Sequence, residues 1–203
     1  MSWFAEGLAR QLREPSGLPG RAMGHLLNRG NRTINSRAVE RLDLTGTEAV
    51  LEIGFGGGSA LAQIRERTDG FVAGIEISDS MLAQGRGRFR RELESERFEL
   101  EQAGVSDIPY DDGRFDRVLT VQTIYFWPDP AAGLREIHRV SRPDGRLLLA
   151  TATVEEMEKR SFTRHGFRKF RDADLEKLLS GAGFSDVVVE RDGSRVFSTG
   201  VKG

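Results

Sequence analysis

Cysteine is absent from the 203-residue chain. That excludes disulfides, thiolate catalysis and zinc sites built on Cys. Histidine is scarce: His25, His138 and His165 lie far apart, with no HxxxH or HxH spacing, so no metal site is expected. Long apolar runs are missing too. The richest stretches, such as Leu147-Leu148-Leu149-Ala150, are strand-sized, against the roughly 18 residues a membrane span needs. The opening Met1-Ser2-Trp3-Phe4-Ala5-Glu6 carries an acid and no basic n-region, so no targeting segment is read there and a cytoplasmic compartment is expected. Charge of one sign is also lacking. Thirty Lys and Arg against 31 Asp and Glu leave a formal net charge of −1, which gives no electrostatic reason to expect nucleic acid as the partner. What remains, 38% hydrophobic and 30% charged residues, fits one globular domain with a substantial core.

Along the chain, the first 45 residues read as helix, loop, helix. Phe4, Leu8 and Leu12 share one helix face, and Pro15, Gly17, Pro19 and Gly20 then break it. A second helical stretch places Leu27, Ile34, Ala38 and Leu42 on one side and Asn28, Asn31 and Asn35 on the other. From residue 48 strands and helices alternate. Strands are expected at Ala49–Ile53, Phe71–Ile77, Arg97–Gln102, Phe115–Val121 and Arg146–Ala152, the last after a Pro143-Asp144-Gly145 turn. Helices are expected at Ser59–Arg67, at Asp79–Arg91 capped by Ser78, and at Pro130–Val140. Repeated βαβ units of this length imply a doubly wound, mostly parallel sheet with helices on both faces. After a helix at Asp172–Gly181, Val187–Glu190 and Arg195–Thr199 flank Asp192-Gly193-Ser194 and read as a terminal antiparallel hairpin.

The first strand runs into Glu52-Ile53-Gly54-Phe55-Gly56-Gly57-Gly58-Ser59. Glycines at a strand-to-helix turn let the backbone approach a ligand, and the next helix start offers free N–H groups to an anion. A dinucleotide and S-adenosylmethionine both fit that description. The dinucleotide pattern GxGxxG wants Gly or Ala at position 59, where this chain has Ser59. Glu76, 22 residues after Gly54 at the end of the second strand, suits the two ribose hydroxyls that both cofactors carry.

The later segments discriminate. Asp107-Ile108-Pro109-Tyr110-Asp111-Asp112-Gly113-Arg114-Phe115-Asp116 leads into the fourth strand, which continues to Gln122-Thr123-Ile124-Tyr125-Phe126-Trp127-Pro128. Leu134-Arg135-Glu136-Ile137-His138-Arg139-Val140 and Arg142-Pro143-Asp144-Gly145-Arg146-Leu147 follow. In this order the motifs resemble the class I S-adenosylmethionine-dependent methyltransferases, especially the small-molecule, type 11-like group. The resemblance covers about residues 48–152 and extends more loosely to the hairpin. It implies a Rossmann-like seven-stranded sheet over 47–203, with residues 1–46 as a helical lid.

The same resemblance implies S-adenosyl-L-methionine as cofactor and S-adenosyl-L-homocysteine as product. It assigns Gly54, Phe55 and Gly56 to the methionine moiety, Glu52 to its ammonium group, Glu76 to the ribose and Ile77 to the adenine face. Met81 would close over the adenosine, and the Gln122 backbone would accept from the cofactor's amino group. One position departs: Gly104 stands where the family often has an Asp that accepts from the adenine amino group. The backbone of Val105, with the Ser106 hydroxyl, is expected to read that edge instead. The Pro143-Asp144-Gly145 turn stands where the family has Pro-Gly-Gly, a conservative change because Asp tolerates turn geometry.

Methyl transfer mainly needs the acceptor atom placed about 3 Å from the methyl carbon with water excluded, so no catalytic triad is demanded. Tyr125 and His25 are the candidates for a catalytic role. Tyr125, Trp127, Asn31 and Asn35 are candidates for the acceptor pocket. Phe126 and Trp127 read equally well as core, and the asparagine face reads rather more readily as a solvated helix surface. His138 reads as structural or exposed, and Arg164, His165, Arg168 and Lys169 as a solvated basic loop or a contact for an acidic acceptor. The acceptor expected is a small molecule. The alternatives are a lipid headgroup or macromolecule, and a nicotinamide-dependent oxidoreductase, which Ser59 and the hairpin disfavour.

Overall fold

The computed structural model describes residues 31–164 and 166–203. The expected helix at Trp3–Arg13, the Asn28 end of the second helix, His25 and His165 lie outside the described residues.

Residues 31–41 are helical (α1) and bury Ile34, Ala38, Val39 and Leu42 against the sheet. The strands are β1 (Val50–Ile53), β2 (Val72–Glu76), β3 (Phe98–Gln102), β4 (Phe115–Val121), β5 (Ser141–Ala152), β6 (Phe184–Asp192) and β7 (Arg195–Lys202). The helices between them are α2 (Ser59–Arg65), α3 (Asp79–Arg88), α4 (Pro130–Val140), α5 (Val154–Glu158) and α6 (Asp172–Gly181). The sheet order is β3-β2-β1-β4-β5-β7-β6, with the first five strands parallel and β7 antiparallel to both neighbours. The expected seven-stranded sheet with its terminal hairpin is what the chain forms.

Alternation along the strands feeds a core on each face. Leu147 and Leu149 of β5 pack with Leu134 and Ile137 of α4 and Leu175 and Leu179 of α6. Leu148 and Ala150 face the opposite way, toward α1, α2 and α3. Two ion pairs, Arg37–Asp192 at 2.8 Å and Arg41–Asp192 at 3.1 Å, tie α1 to the hairpin turn, and the Arg41 guanidinium stacks 4.1 Å from the Phe197 ring centre.

Several elements differ from expectation in extent, two of them instructively. The α3 helix stops at Arg88, where Asp79–Arg91 was expected, and a 3-10 turn at Glu92–Glu94 follows. The Pro143-Asp144-Gly145 segment does not reverse the chain. It lies inside β5 as an irregularity, with Asp144 at φ 61°, where the register against β4 jumps from Phe115↔Ser141 to Arg117↔Arg146. Asp accepts this left-handed conformation more readily than most residues, so the strand bends without ending.

The parallel strand order reverses between β1 and its two neighbours β2 and β4. Connections leave in opposite directions there, and the crevice at the carboxyl ends of the strands is where an open α/β sheet takes a ligand.

Candidate functional site

A cavity of about 410 Å³ opens at that crevice, within the range of small-molecule sites. Its floor is built by successive strand ends: Gly54–Gly57 after β1, Glu76 and Ile77 at β2, Ala103–Asp107 after β3, and Val121–Thr123 after β4. The register that sets Ile53 beside both Ile75 and Thr120 brings these ends level.

The glycine segment bends because it must. Gly54 has φ 68° and Gly56 φ 52°, a region that side chains with a Cβ disfavour. A Cβ on Gly54 would also meet Thr123 Cγ2 at 2.7 Å, whereas one on Gly56 would enter open space. Phe55 turns away from the cavity: its ring packs against Gly74 and Gly85, so only its backbone faces a ligand.

Two buried acids lie beneath this loop. Glu76 accepts the Gly56 N–H at 2.9 Å and the Ser78 N–H at 3.0 Å, fixing the loop to the end of β2. Burial raises its pKa above the ordinary carboxylate value, offset in part by these amides. Glu52 is 3% exposed, and its Oε2 has no hydrogen-bond partner among the described residues. Burial pushes its pKa up to about 8, the Leu61 amide opposing and the Glu76 charge reinforcing the shift. An unpartnered buried carboxylate lining a cavity is costly unless a donor or a cation reaches it.

The segment over the floor is held from the far side. Arg139 of α4 donates to the carbonyls of Ile108 at 2.9 Å and Tyr110 at 2.8 Å, while Glu136 accepts the Ile108 N–H at 3.2 Å. Glu136 and Arg139 of the Leu134–Val140 motif thus anchor the 103–110 segment and leave Gly104, Val105 and Ser106 at the cavity. A Cβ on Gly104 would meet nothing within 4 Å among the described residues.

The far wall is aromatic. Tyr125, Phe126 and Phe167 meet with ring centres 4.6–5.1 Å apart. The Tyr125 hydroxyl donates to Gln122 Oε1 at 3.2 Å, and burial drives its pKa up. Gln122 itself sits at φ 59°, and its Oε1 also accepts the Ala152 N–H at 3.1 Å. Trp127 is only 6% exposed and packs on Gly133 and Val105, so the core reading describes most of its ring, with an edge left on the cavity.

Of the residues the sequence singled out, Glu52, Gly54, Phe55, Gly56, Glu76, Ile77, Met81, Gly104, Val105, Ser106, Gln122, Tyr125, Trp127, Asn31 and Asn35 all line this one cavity. His138 does not: it stacks edge-on against Phe184 behind α4. In the basic loop, Arg168 donates to the Pro128 carbonyl at 2.8 Å and Lys169 pairs with Glu158 at 3.2 Å. This fastens the loop against the Tyr125–Pro128 segment and carries Phe167 over the cavity. Phe167, Thr123 and Arg160 are lining residues that sequence reasoning missed. The signal for Phe167 was available, as an apolar residue between Arg164 and Arg168 in an otherwise basic loop.

Residues 51–149 match the family described as a methyltransferase domain. Methyltransferase GfsG of Streptomyces halstedii is 33% identical over 121 residues, 60% of this chain and 44% of that protein. The uncharacterized methyltransferase YdaC of Bacillus subtilis is 26% identical over 76% of this chain and 86% of its own length. The chain therefore spans less than half of the first of these relatives. A crystal structure of an S-adenosylmethionine-dependent methyltransferase from Aquifex aeolicus superposes with a TM-score of 0.74 at 19% identity, covering 89% of this chain and 97% of that one. The chain therefore has the fold of this solved methyltransferase, and residues 51–149, just under half of it, are similar to the methyltransferase-domain family.

Proposed function

We propose that the protein transfers the methyl group of S-adenosyl-L-methionine to a small-molecule acceptor bound against the aromatic wall. The observation that carries this reading is the buried Glu52 carboxylate under the glycine loop, whose Oε2 has no hydrogen-bond partner among the described residues. A cationic ammonium group supplies what that carboxylate lacks. The diphosphate of a dinucleotide would instead bring negative charge to the same place, which argues against a nicotinamide cofactor.

Bound in the cavity, S-adenosylmethionine supplies a methyl group already activated on a sulfonium sulfur. Glu52 holds the ammonium group, and the amides around Gly54–Gly56 cradle the rest of the methionine end. Glu76 keeps the loop in shape through Gly56 and accepts from the ribose hydroxyls. Ile77 and Met81 enclose the adenosine. The Val105 backbone and the Ser106 hydroxyl take the adenine edge, with Gly104 leaving space beside it. The Gln122 backbone accepts from the amino group.

Tyr125, Phe126 and Phe167 exclude water and orient the acceptor, and Asn31 and Asn35 present amides from α1 as its cover. Tyr125 stays a neutral phenol near neutral pH, because burial raises its pKa and its hydroxyl is committed to Gln122. Its part is positioning, and catalysis rests on proximity and orientation.

Calorimetric titration with S-adenosylhomocysteine tests the reading. The wild-type protein should bind it and show no thermal stabilisation by NAD. Glu76→Ala removes charge-assisted ribose contacts and should weaken binding by roughly a hundredfold. Unchanged affinity in that variant, or stabilisation by NAD alone, would refute it.

A further inference from the structure

A second, smaller cavity of about 40 Å³ lies behind the aromatic wall. Gln122, Tyr125, Arg160 and Phe167 line both cavities, so the small one is a side chamber of the large one. Its own contributions include Arg195 and Thr163.

Arg195 reaches this place because of the hairpin. The parallel strands point their carboxyl ends at the site, and β7 runs against them, so its first residue arrives at that same edge. Arg195 pairs with Ala152, the last residue of β5. Its side chain is half-buried, and its guanidinium makes no hydrogen bond or ion pair among the described residues. Every neighbour with charge is accounted for otherwise. Arg160 faces it but is held by Glu156 at 3.1 Å, and the same Glu156 is shared with Lys159 at 3.3 Å. The chamber thus carries excess positive charge with five donors unfilled on a planar fork. Burial and the facing Arg160 both disfavour that charge and lower the Arg195 pKa from its usual value, with Glu156 opposing only in part. Such a group calls for an anion of matching geometry.

We propose that the methyl acceptor carries a carboxylate, which docks in this side chamber on Arg195, with Arg160 at the rim and the acceptor's body against Tyr125 and Phe167. The chamber is small, about 40 Å³, which suits a compact planar anion such as a carboxylate on the guanidinium fork. The proposal rests on the methyltransferase reading and names the substrate class for that same site.

The test uses the full-length protein saturated with S-adenosylhomocysteine and matched pairs of probes: 4-hydroxybenzoate against 4-hydroxybenzamide, and hexanoate against hexanamide. Calorimetry should show each carboxylate binding at least about tenfold tighter than its amide, the scale of a charge-assisted pair. Arg195→Met should abolish that preference and Arg195→Lys should keep part of it, both with S-adenosylhomocysteine affinity unchanged. A wild-type protein without a preference for either carboxylate overturns the proposal and needs no variant to fold. So does a preference that survives Arg195→Met. Failure of the wild type to bind S-adenosylhomocysteine sinks the methyltransferase reading instead, so the two failures are distinct.

Discussion

Glu52 makes cofactor binding depend on pH in a calculable way. Its ordinary carboxylate value of 4.5 is pushed up to about 8 by burial. In the free protein about 1% of the molecules then carry an ionised Glu52 at pH 6 and about a quarter at pH 7.5. If the ammonium group of S-adenosylhomocysteine needs the ionised form, apparent affinity scales with that fraction. Affinity should therefore rise about 25-fold between pH 6 and pH 7.5, close to 2 kcal/mol. Below pH 7 each binding event should release nearly one proton, which calorimetry in two buffers of different ionisation enthalpy counts directly. The ligand's α-ammonium group sits beside its own free carboxylate and titrates above this window, so the ligand's charge is constant across it.

The same group acts on the stability of the unliganded protein with the opposite sense to a salt-bridged acid. Its folded pKa lies above its unfolded one, so the folded state holds the proton more tightly. The stabilisation is complete below about pH 4.5 and is lost as pH rises toward 8. The loss is of order 5 kcal/mol at most, taking about 1.4 kcal/mol for each factor of ten in the proton affinity. The melting temperature of the free protein should fall between pH 5 and pH 8, and the stabilisation by S-adenosylhomocysteine should grow over the same range. Glu52→Gln should flatten both trends, leaving only what Glu76 contributes. A wild-type affinity that changes less than threefold between pH 6 and 7.5, or an equal slope in Glu52→Gln, would refute the reasoning.

Three further variants probe the loop, a helix position as its control, and the adenine end. Gly54→Ala forces a side chain into φ 68° and against Thr123, whose hydroxyl is held by Thr120 at 2.5 Å and cannot easily retreat. A cost of about 2–3 kcal/mol should lower the melting temperature by about 5–10 °C. Gly87→Ala in α3, where a Cβ meets nothing within 4 Å, should leave it level or raise it slightly. Gly104→Asp should restore a carboxylate at the adenine edge without a steric clash. Titration should find S-adenosylhomocysteine about three- to tenfold tighter, with the free protein's melting temperature little changed; weaker binding would mean that the adenine lies elsewhere.

The sequence made the sheet legible wherever local chemistry and burial agree. Strand β4 at Phe115–Val121 and helix α4 at Pro130–Val140 have the expected bounds. For α4 the reason is visible: Asp129 accepts the Ala132 N–H at 3.0 Å and Pro130 opens the first turn. The hairpin strands were expected at Val187–Glu190 and Arg195–Thr199 but run from Phe184 to Asp192 and from Arg195 to Lys202. Ser185 and Asp186 carry no strand signal, and Asp186 stands at φ 47° where the register against β7 shifts. An irregular strand is set by pairing with its neighbour, which periodicity within one segment does not encode.

The site was legible in the same uneven way. Residues at or just after the carboxyl end of a parallel strand arrive at the ligand edge by topology alone, so Glu52, Gly54, Glu76, Gly104 and Gln122 could be placed from motif order. Arg195 follows the opposite logic. In sequence it trails Asp192-Gly193-Ser194 and looks like a solvated charge at a turn tip. Only the antiparallel pairing of β7 with β5, register Ala152↔Arg195, converts a turn residue into a residue of the binding edge. In a parallel sheet the ends of strands face the ligand; in the one strand that runs backwards, the beginning does. A hairpin appended to this sheet therefore brings its own first residue to the pocket, where a change at that position can alter the acceptor without touching the glycine loop or either buried acid.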